Sequence, residues 1–102
     1  MHSISPKELL VLLHNNTPLQ LIDVRSLAER NEFNIGGHHI PLEELTSSFH
    51  LIDTNKPVVF YCQKGIRSAI AIQRLEQRLS QVQMLNLQGG MEAWKKMKEE
   101  NC

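Results

Sequence analysis

The chain is predicted to be an α/β domain, with mostly parallel strands in one sheet and helices on both of its faces. Three observations carry this. Strand-like apolar runs alternate with helix-like segments along the whole chain. The runs Leu19 to Val24 and Pro57 to Tyr61 are nearly continuous in apolar residues, the pattern of strands covered on both sides. Two Ser-x-x-Glu capping boxes mark where the chain turns from an extended stretch into a helix.

The elements follow in order. Ser5-Pro6-Lys7-Glu8 is the first capping box, with proline at the first helical position. That helix runs through Leu9, Leu10, Leu12 and Leu13 and stops at His14-Asn15-Asn16, before a turn at Thr17-Pro18. Leu19 to Val24 is a strand. Ser26-Leu27-Ala28-Glu29 opens a short helix ending near Phe33. Gly36-Gly37 breaks the chain, His38-His39-Ile40 reads as a short strand, and a helix is expected around Leu42-Glu43-Glu44-Leu45. After a turn at Asn55-Lys56-Pro57 comes the strand leading into Cys62. A helix is predicted from Ile66 to Leu79, since Ala71, Leu75 and Leu79 recur at four-residue steps and Ile72 widens the same face. Val82 to Leu87 reads as the last strand. Gly90 opens a helix with Met91, Trp94 and Met97 on one side, and Glu99 to Cys102 reads as a polar tail.

At 102 residues the chain is read as one domain, residues 1–102. A chain of this size buries roughly 65% of its unfolded surface, enough for a real core. Eleven Lys and Arg balance eleven Asp and Glu. That balance argues against a nucleic-acid partner, which calls for a basic excess. The apolar runs are far too short for a membrane span, and Met1-His2-Ser3-Ile4-Ser5-Pro6 lacks the charged-then-apolar pattern of a signal peptide. A cytoplasmic location is therefore the default expectation. Cys62 and Cys102 offer no disulfide framework, and a reducing compartment suits a reactive thiol.

Cys62-Gln63-Lys64-Gly65-Ile66-Arg67-Ser68 is the stretch that points to chemistry. It places a cysteine at the C-terminal tip of a strand, on a short loop that turns directly into a helix. Successive N–H groups of such a loop can converge on one spot, and the helix dipole adds positive potential, which favours a thiolate nucleophile. Gly65 suits the tight turn.

The Cys-x4-Arg spacing from Cys62 to Arg67 resembles the active-site loop of the rhodanese (sulfurtransferase) family. The resemblance extends over nearly the whole chain. Leu21-Ile22-Asp23-Val24-Arg25 resembles the family's Asp-Val-Arg signature, Glu32-Phe33 its acidic-aromatic pair, and Gly89-Gly90-Met91-Glu92-Ala93-Trp94 its closing Gly-Gly-x-x-x-Trp motif. One departure is Asn34-Ile35-Gly36-Gly37-His38-His39-Ile40-Pro41, where the family often has Gly-His-Ile-Pro-Gly-Ala. The resemblance implies a three-layer sandwich around a five-stranded sheet, with a short first strand near Ile4. It implies catalysis by Cys62 through a persulfide, needing neither metal nor organic cofactor. The donor is expected to be a small anion such as thiosulfate, and the acceptor cyanide, a thiol or a protein dithiol. A persulfide relay between partner proteins is the alternative. A phosphatase or arsenate reductase is less favoured, because related phosphatase loops hold one residue more and a phosphate needs the wider ring. A non-catalytic interaction module is least favoured, since such members often lack the loop cysteine.

Gln63, Gly65, Ile66 and Ser68 are expected to serve mainly through their amides, with Ser68 also able to bond within the loop or cap the helix. Lys64 is open to two readings, a solvated surface charge or a cation that attracts an anionic donor. Arg67 either binds donor oxygens or braces the loop. Asp23 and Arg25 are read as supporting scaffold near Cys62, with Arg25 able to pair with Glu32. His38 and His39 are adjacent on a strand, so they face opposite ways and do not read as a metal site. His2, His14 and His50 are scattered and expected at the surface. Cys102 is read as a frayed end rather than a resolving thiol. Trp94 and Met91 read as core.

Overall fold

The structure, a computed structural model, describes residues 1–100. Five strands, β1 (His2–Ile4), β2 (Gln20–Asp23), β3 (His38–His39), β4 (Val58–Tyr61) and β5 (Met84–Leu87), form one sheet in the order β1-β5-β4-β2-β3. Every neighbouring pair is parallel. Five α-helices accompany them: α1 (Pro6–His14), α2 (Leu27–Glu32), α3 (Leu45–Ser48), α4 (Ile66–Leu75) and α5 (Gly90–Glu100). Both capping boxes form, with Ser5 and Ser26 each accepting from the third helical amide and Glu8 and Glu29 each reaching back. Each such cap stabilises its helix by about 1 kcal/mol.

The alternation along β4 builds the layers. Val58, Phe60 and Cys62 join Ile22, Val24, Leu45, Ala71, Ile72 and Leu75 in a core beneath α3 and α4. Val59 and Tyr61 turn the other way, to Leu9, Leu87, Met91, Trp94 and Met97 of a second core beneath α1 and α5. Two cores on opposite faces of one sheet make a three-layer sandwich, and they explain why the central strand is apolar at consecutive positions.

Several boundaries differ from expectation: β2 and β3 are shorter than Leu19 to Val24 and His38 to Ile40, and α5 runs through Glu99 and Glu100, where a polar tail is expected. The segment after His39-Ile40 is a 3-10 turn at Leu42–Glu44, then α3, then a 3-10 turn at Phe49–Leu51. Helix α4 ends at Leu75 rather than Leu79; the chain continues in turns, where the Leu79 amide donates to the Leu75 carbonyl and the Leu79 side chain stays in the core. Strand β5 begins at Met84 rather than Val82, which is buried in the preceding turn. Periodic burial thus outlasted the regular ladder in both places. Cys102 lies outside the described residues.

The strand order also positions the site. From β2 the chain crosses to β3 at one edge, whereas from β4 it crosses to β5 on the other side. Where neighbouring crossovers diverge, a crevice opens at the carboxyl ends of the strands. Cys62 follows β4 and Asp23-Val24-Arg25 closes β2, so both border that crevice.

Candidate active site

Helices α1 and α2 carry serine caps, but α4 has no side-chain cap. Its N-cap is Gly65, at φ +96°, a left-handed conformation that glycine adopts without steric cost. The first amides of a helix have no partner within it. Here Cys62 Sγ takes that place, accepting from the Gly65 amide at 3.1 Å and from the Ser68 amide at 3.4 Å. The sulfur thus sits where a capping oxygen sits in α1 and α2.

Helix α5 holds the loop from behind. The amides of Met91 and Glu92 donate to the carbonyls of Cys62 and Gln63 at 2.8 and 3.1 Å. Because a trans peptide points its N–H opposite to its C=O, these bonds turn the Gln63 and Lys64 amides away from α5. On the third side stands Asn86. Its Nδ2 donates to the Gly65 carbonyl at 3.0 Å, and its Oδ1 accepts from Ser68 Oγ, which lies 3.3 Å from Cys62 Sγ. A hydroxyl has one proton. With that proton on Asn86, the thiol is the donor in the sulfur–serine contact.

Cys62 is only 1% exposed, yet it contributes to the floor of a pocket of about 330 Å³ lined by Glu29, Gln63, Lys64, Ile66 and Arg67. Two hollows of about 530 and 570 Å³ lie at the amino ends of the strands, and neither contains a cysteine. The Arg67 guanidinium forms a two-pronged pair with Glu29, at 2.7 and 2.8 Å, joining the start of α4 to α2. The Arg67 hydrogen bonds hold the Glu29 carboxyl down at a pKa of about 2. Arg67 is itself raised above its usual value, chiefly by the same bonds.

Asp23 and Arg25 are both buried and bonded to each other: Arg25 Nε and Nη2 donate to Asp23 Oδ1 and Oδ2 at 2.9 and 3.0 Å. Arg25 therefore pairs with Asp23 and not with Glu32. Burial opposes its charge, but the bonds and charge of Asp23 outweigh that and leave its pKa raised. Its Nη2 also holds the Phe33 carbonyl at 2.6 Å, and Nη1 reaches Gln63 Oε1 at 3.5 Å. Arg30 adds a second cation, 3.5 Å from Asp23 Oδ2, and bonds the Gly36 and Gly37 carbonyls. The carboxylate of Asp23 thus braces the rim of the site, at the end of the strand beside β4.

His39 Nε2 lies 2.7 Å from the Arg25 carbonyl, and His38 is exposed. Among the described residues no cluster has the makings of a metal site. His2, His14 and His50 are exposed, and Trp94 and Met91 are core. No described helix is long and apolar enough to cross a membrane. Sequence reading missed Glu29 as the partner of Arg67, having explained it as a cap. It also missed Asn86, whose one signal is a polar residue inside Met84-Leu85-Asn86-Leu87.

Parallel strands in the order β1-β5-β4-β2-β3, with a cysteine loop where the crossovers diverge, define a three-layer α/β sandwich with its candidate site at the carboxyl ends of the strands. The chain belongs to the family of rhodanese-like domains, whose model matches residues 5–97. It is 42% identical over 79 residues to the uncharacterized protein YqhL of Bacillus subtilis (strain 168), a match covering 74% of this chain and 60% of that protein. It is 32% identical over 97 residues to the probable adenylyltransferase/sulfurtransferase MoeZ of Mycobacterium tuberculosis, covering 92% of this chain and 24% of that protein. The chain thus spans less than two thirds of the length of these curated relatives. Among solved structures, a rhodanese-like domain protein from Staphylococcus aureus superposes with a TM-score of 0.83 at 29% identity, covering 92% of this chain and 91% of that one.

Proposed function

We propose that this domain is a sulfurtransferase that moves sulfane sulfur through a Cys62 persulfide. The observation that carries the reading is the convergence of the Gly65 and Ser68 amides on Cys62 Sγ. Donors aimed at a sulfur stabilise negative charge on it, and they are in place before any reaction begins. With thiosulfate as donor, the Cys62 thiolate attacks the outer sulfur. The donor S–S bond breaks, sulfite leaves with the electron pair, and Cys62 carries S–S⁻. An acceptor nucleophile (cyanide in an assay, a thiol or protein dithiol otherwise) then attacks the outer sulfur, and the Cys62 thiolate is regenerated. This is covalent, two-step catalysis.

In this reading Gly65 and Ser68 hold the charged sulfur. Gln63, Lys64, Ile66 and Arg67 shape the mouth, while Asp23 and Arg25 support the loop. Lys64 attracts anions, because no described residue pairs with it. That Cys62 is only 1% exposed also supports the relay reading, in which a partner's extended thiol reaches in. The test is intact mass spectrometry after thiosulfate treatment. The parent is expected to gain one sulfur atom and Cys62→Ser none. No gain, or an equal gain in both, overturns the reading.

A further inference from the structure

Arg67 and Cys62 line the same pocket, but the Arg67 guanidinium is already taken. Nη1 and Nη2 bond both oxygens of Glu29, at 2.7 and 2.8 Å. That is the planar fork a guanidinium otherwise offers to a sulfonate, phosphate or carboxylate ligand. Glu29 is not a loose side chain that swings aside. Its Oε1 also accepts from the Ser26 amide and hydroxyl, at 3.1 and 3.0 Å. The rest of the wall offers an oxyanion no second fork: it holds Gln63, Lys64, whose ammonium attracts anions as a point charge without two-pronged geometry, and Ile66, an apolar side chain 66% exposed.

We propose that Glu29 is a built-in stand-in for an oxyanion, which occupies Arg67 and turns the site from sulfonate-type donors such as thiosulfate toward donors that carry sulfane sulfur on a thiol, R–S–SH. The proposal rests on the sulfur-transfer reading and specifies its donor. In the favoured step the Cys62 thiolate attacks the outer sulfur of R–S–SH. The Cys62–S bond forms, the donor S–S bond breaks, R–S⁻ leaves with the electron pair, and the transferred sulfur keeps its proton. The leaving group has no oxygens to coordinate, and its organic part can lie on Ile66. Thiosulfate releases sulfite, whose oxygens want the Arg67 fork and meet the Glu29 carboxylate instead.

Glu29→Gln tests this in the full chain. Its carboxamide oxygen still accepts from Ser26, since glutamine also serves a capping box, but Arg67 loses its ionic partner. The first readout is alkylation of Cys62 by iodoacetamide, followed by peptide mass spectrometry, with sodium sulfate as the oxyanion probe at constant ionic strength. Sulfate is expected to slow alkylation about fivefold or more in Glu29→Gln and hardly at all in the parent, as a freed guanidinium fork would do. Protection is expected to vanish in Glu29→Gln with Arg67→Gln. Glu29→Asp, too short to span both nitrogens, gives partial protection and serves if the first variant does not fold. The second readout is sulfur loading of Cys62 from thiosulfate and from 2-mercaptoethanol persulfide. The parent is expected to load faster from the persulfide, while Glu29→Gln raises kcat/KM for thiosulfate about tenfold, through KM, and so shifts the preference between the two donors toward thiosulfate. Equal sulfate protection in folded parent and variant, or unchanged thiosulfate loading, overturns the proposal. Absence of sulfur uptake from both donors, with sulfate protection confined to the variant, sinks the transfer reading while upholding Glu29 as an oxyanion surrogate.

Discussion

Gly90 lies against the carbonyl of Cys62: a Cβ at Gly90 would stand 2.5 Å from that oxygen and 2.6 Å from the Gln63 carbonyl carbon. The neighbouring amides of Met91 and Glu92 hold the same two carbonyls. The closing glycine motif and the cysteine loop, 28 positions apart (90 − 62), are therefore one packed unit.

Gly90→Ala is expected to disrupt that unit. The new methyl meets backbone, which cannot swing away, and φ of +61° disfavours any side chain. Strain and overpacking together are expected to cost about 2–3 kcal/mol. Urea denaturation measures the loss. Faster alkylation of Cys62 by iodoacetamide in the variant would report the loop opening.

Asn86 carries the second prediction. Asn86→Ala leaves the Gly65 carbonyl and the Ser68 hydroxyl without their partner, a loss of about 1–2 kcal/mol for half-buried groups. Asn86→Asp keeps an acceptor for Ser68 but removes the donor to Gly65 and adds a negative charge one residue from the sulfur. Sulfur loading of Cys62 is expected to fall further in Asn86→Asp than in Asn86→Ala, although the aspartate is closer in shape. The reverse order would assign Asn86 a purely structural role.

Much of this was legible in the sequence because it is local. Capping boxes span four residues, the cysteine loop spans seven, and the alternation of strands with helices needs no knowledge of distant partners. The unread part is long-range. Arg67 and Glu29 are 38 positions apart, and nothing in either neighbourhood announces the other. Glu29 already had a sufficient local explanation, so the sequence offered no unexplained carboxylate to assign. For Arg25 the partner was only two residues away, but strand residues i and i+2 share a face only while the strand stays regular; Arg25 lies beyond β2, where the chain bends so that the guanidinium folds back on Asp23. The four-residue recurrence of Ala71, Leu75 and Leu79 predicts a helix four residues too long because Leu79 is still buried in the turns that follow Leu75.

The Asp23–Arg25 pair gives the third prediction. Both side chains are buried, at 0% and 2% exposure. Removing one partner leaves a buried charge uncompensated, so Asp23→Asn is expected to destabilise the fold by about 3–5 kcal/mol. Replacing both, as Asp23→Leu with Arg25→Met, is expected to cost less than the sum of those two single changes, since the buried pair goes together and only Arg30, which is partly in water, loses a partner. A double-mutant cycle by urea denaturation decides it.

The last prediction concerns acid. Glu29 has its pKa lowered from 4.5 to about 2, mainly by the Arg67 hydrogen bonds. A carboxyl depressed in the fold adds stability above its unfolded pKa and loses it as pH falls toward the folded one. The window is therefore from about pH 4.5 down to about pH 2. Both side chains keep roughly a third of their surface in water, 30% for Glu29 and 36% for Arg67, so the pair is screened. The contribution is expected to be about 1 kcal/mol rather than the full linkage value. Parent and Glu29→Gln are compared by urea denaturation at pH 7, 4.5, 3 and 2 (round values that bracket the window). The parent's advantage is expected to be full at pH 7, to shrink through the window and to vanish at its lower end, and to fall with added salt. An advantage that stayed constant with pH would show that the pair contributes through packing instead of charge.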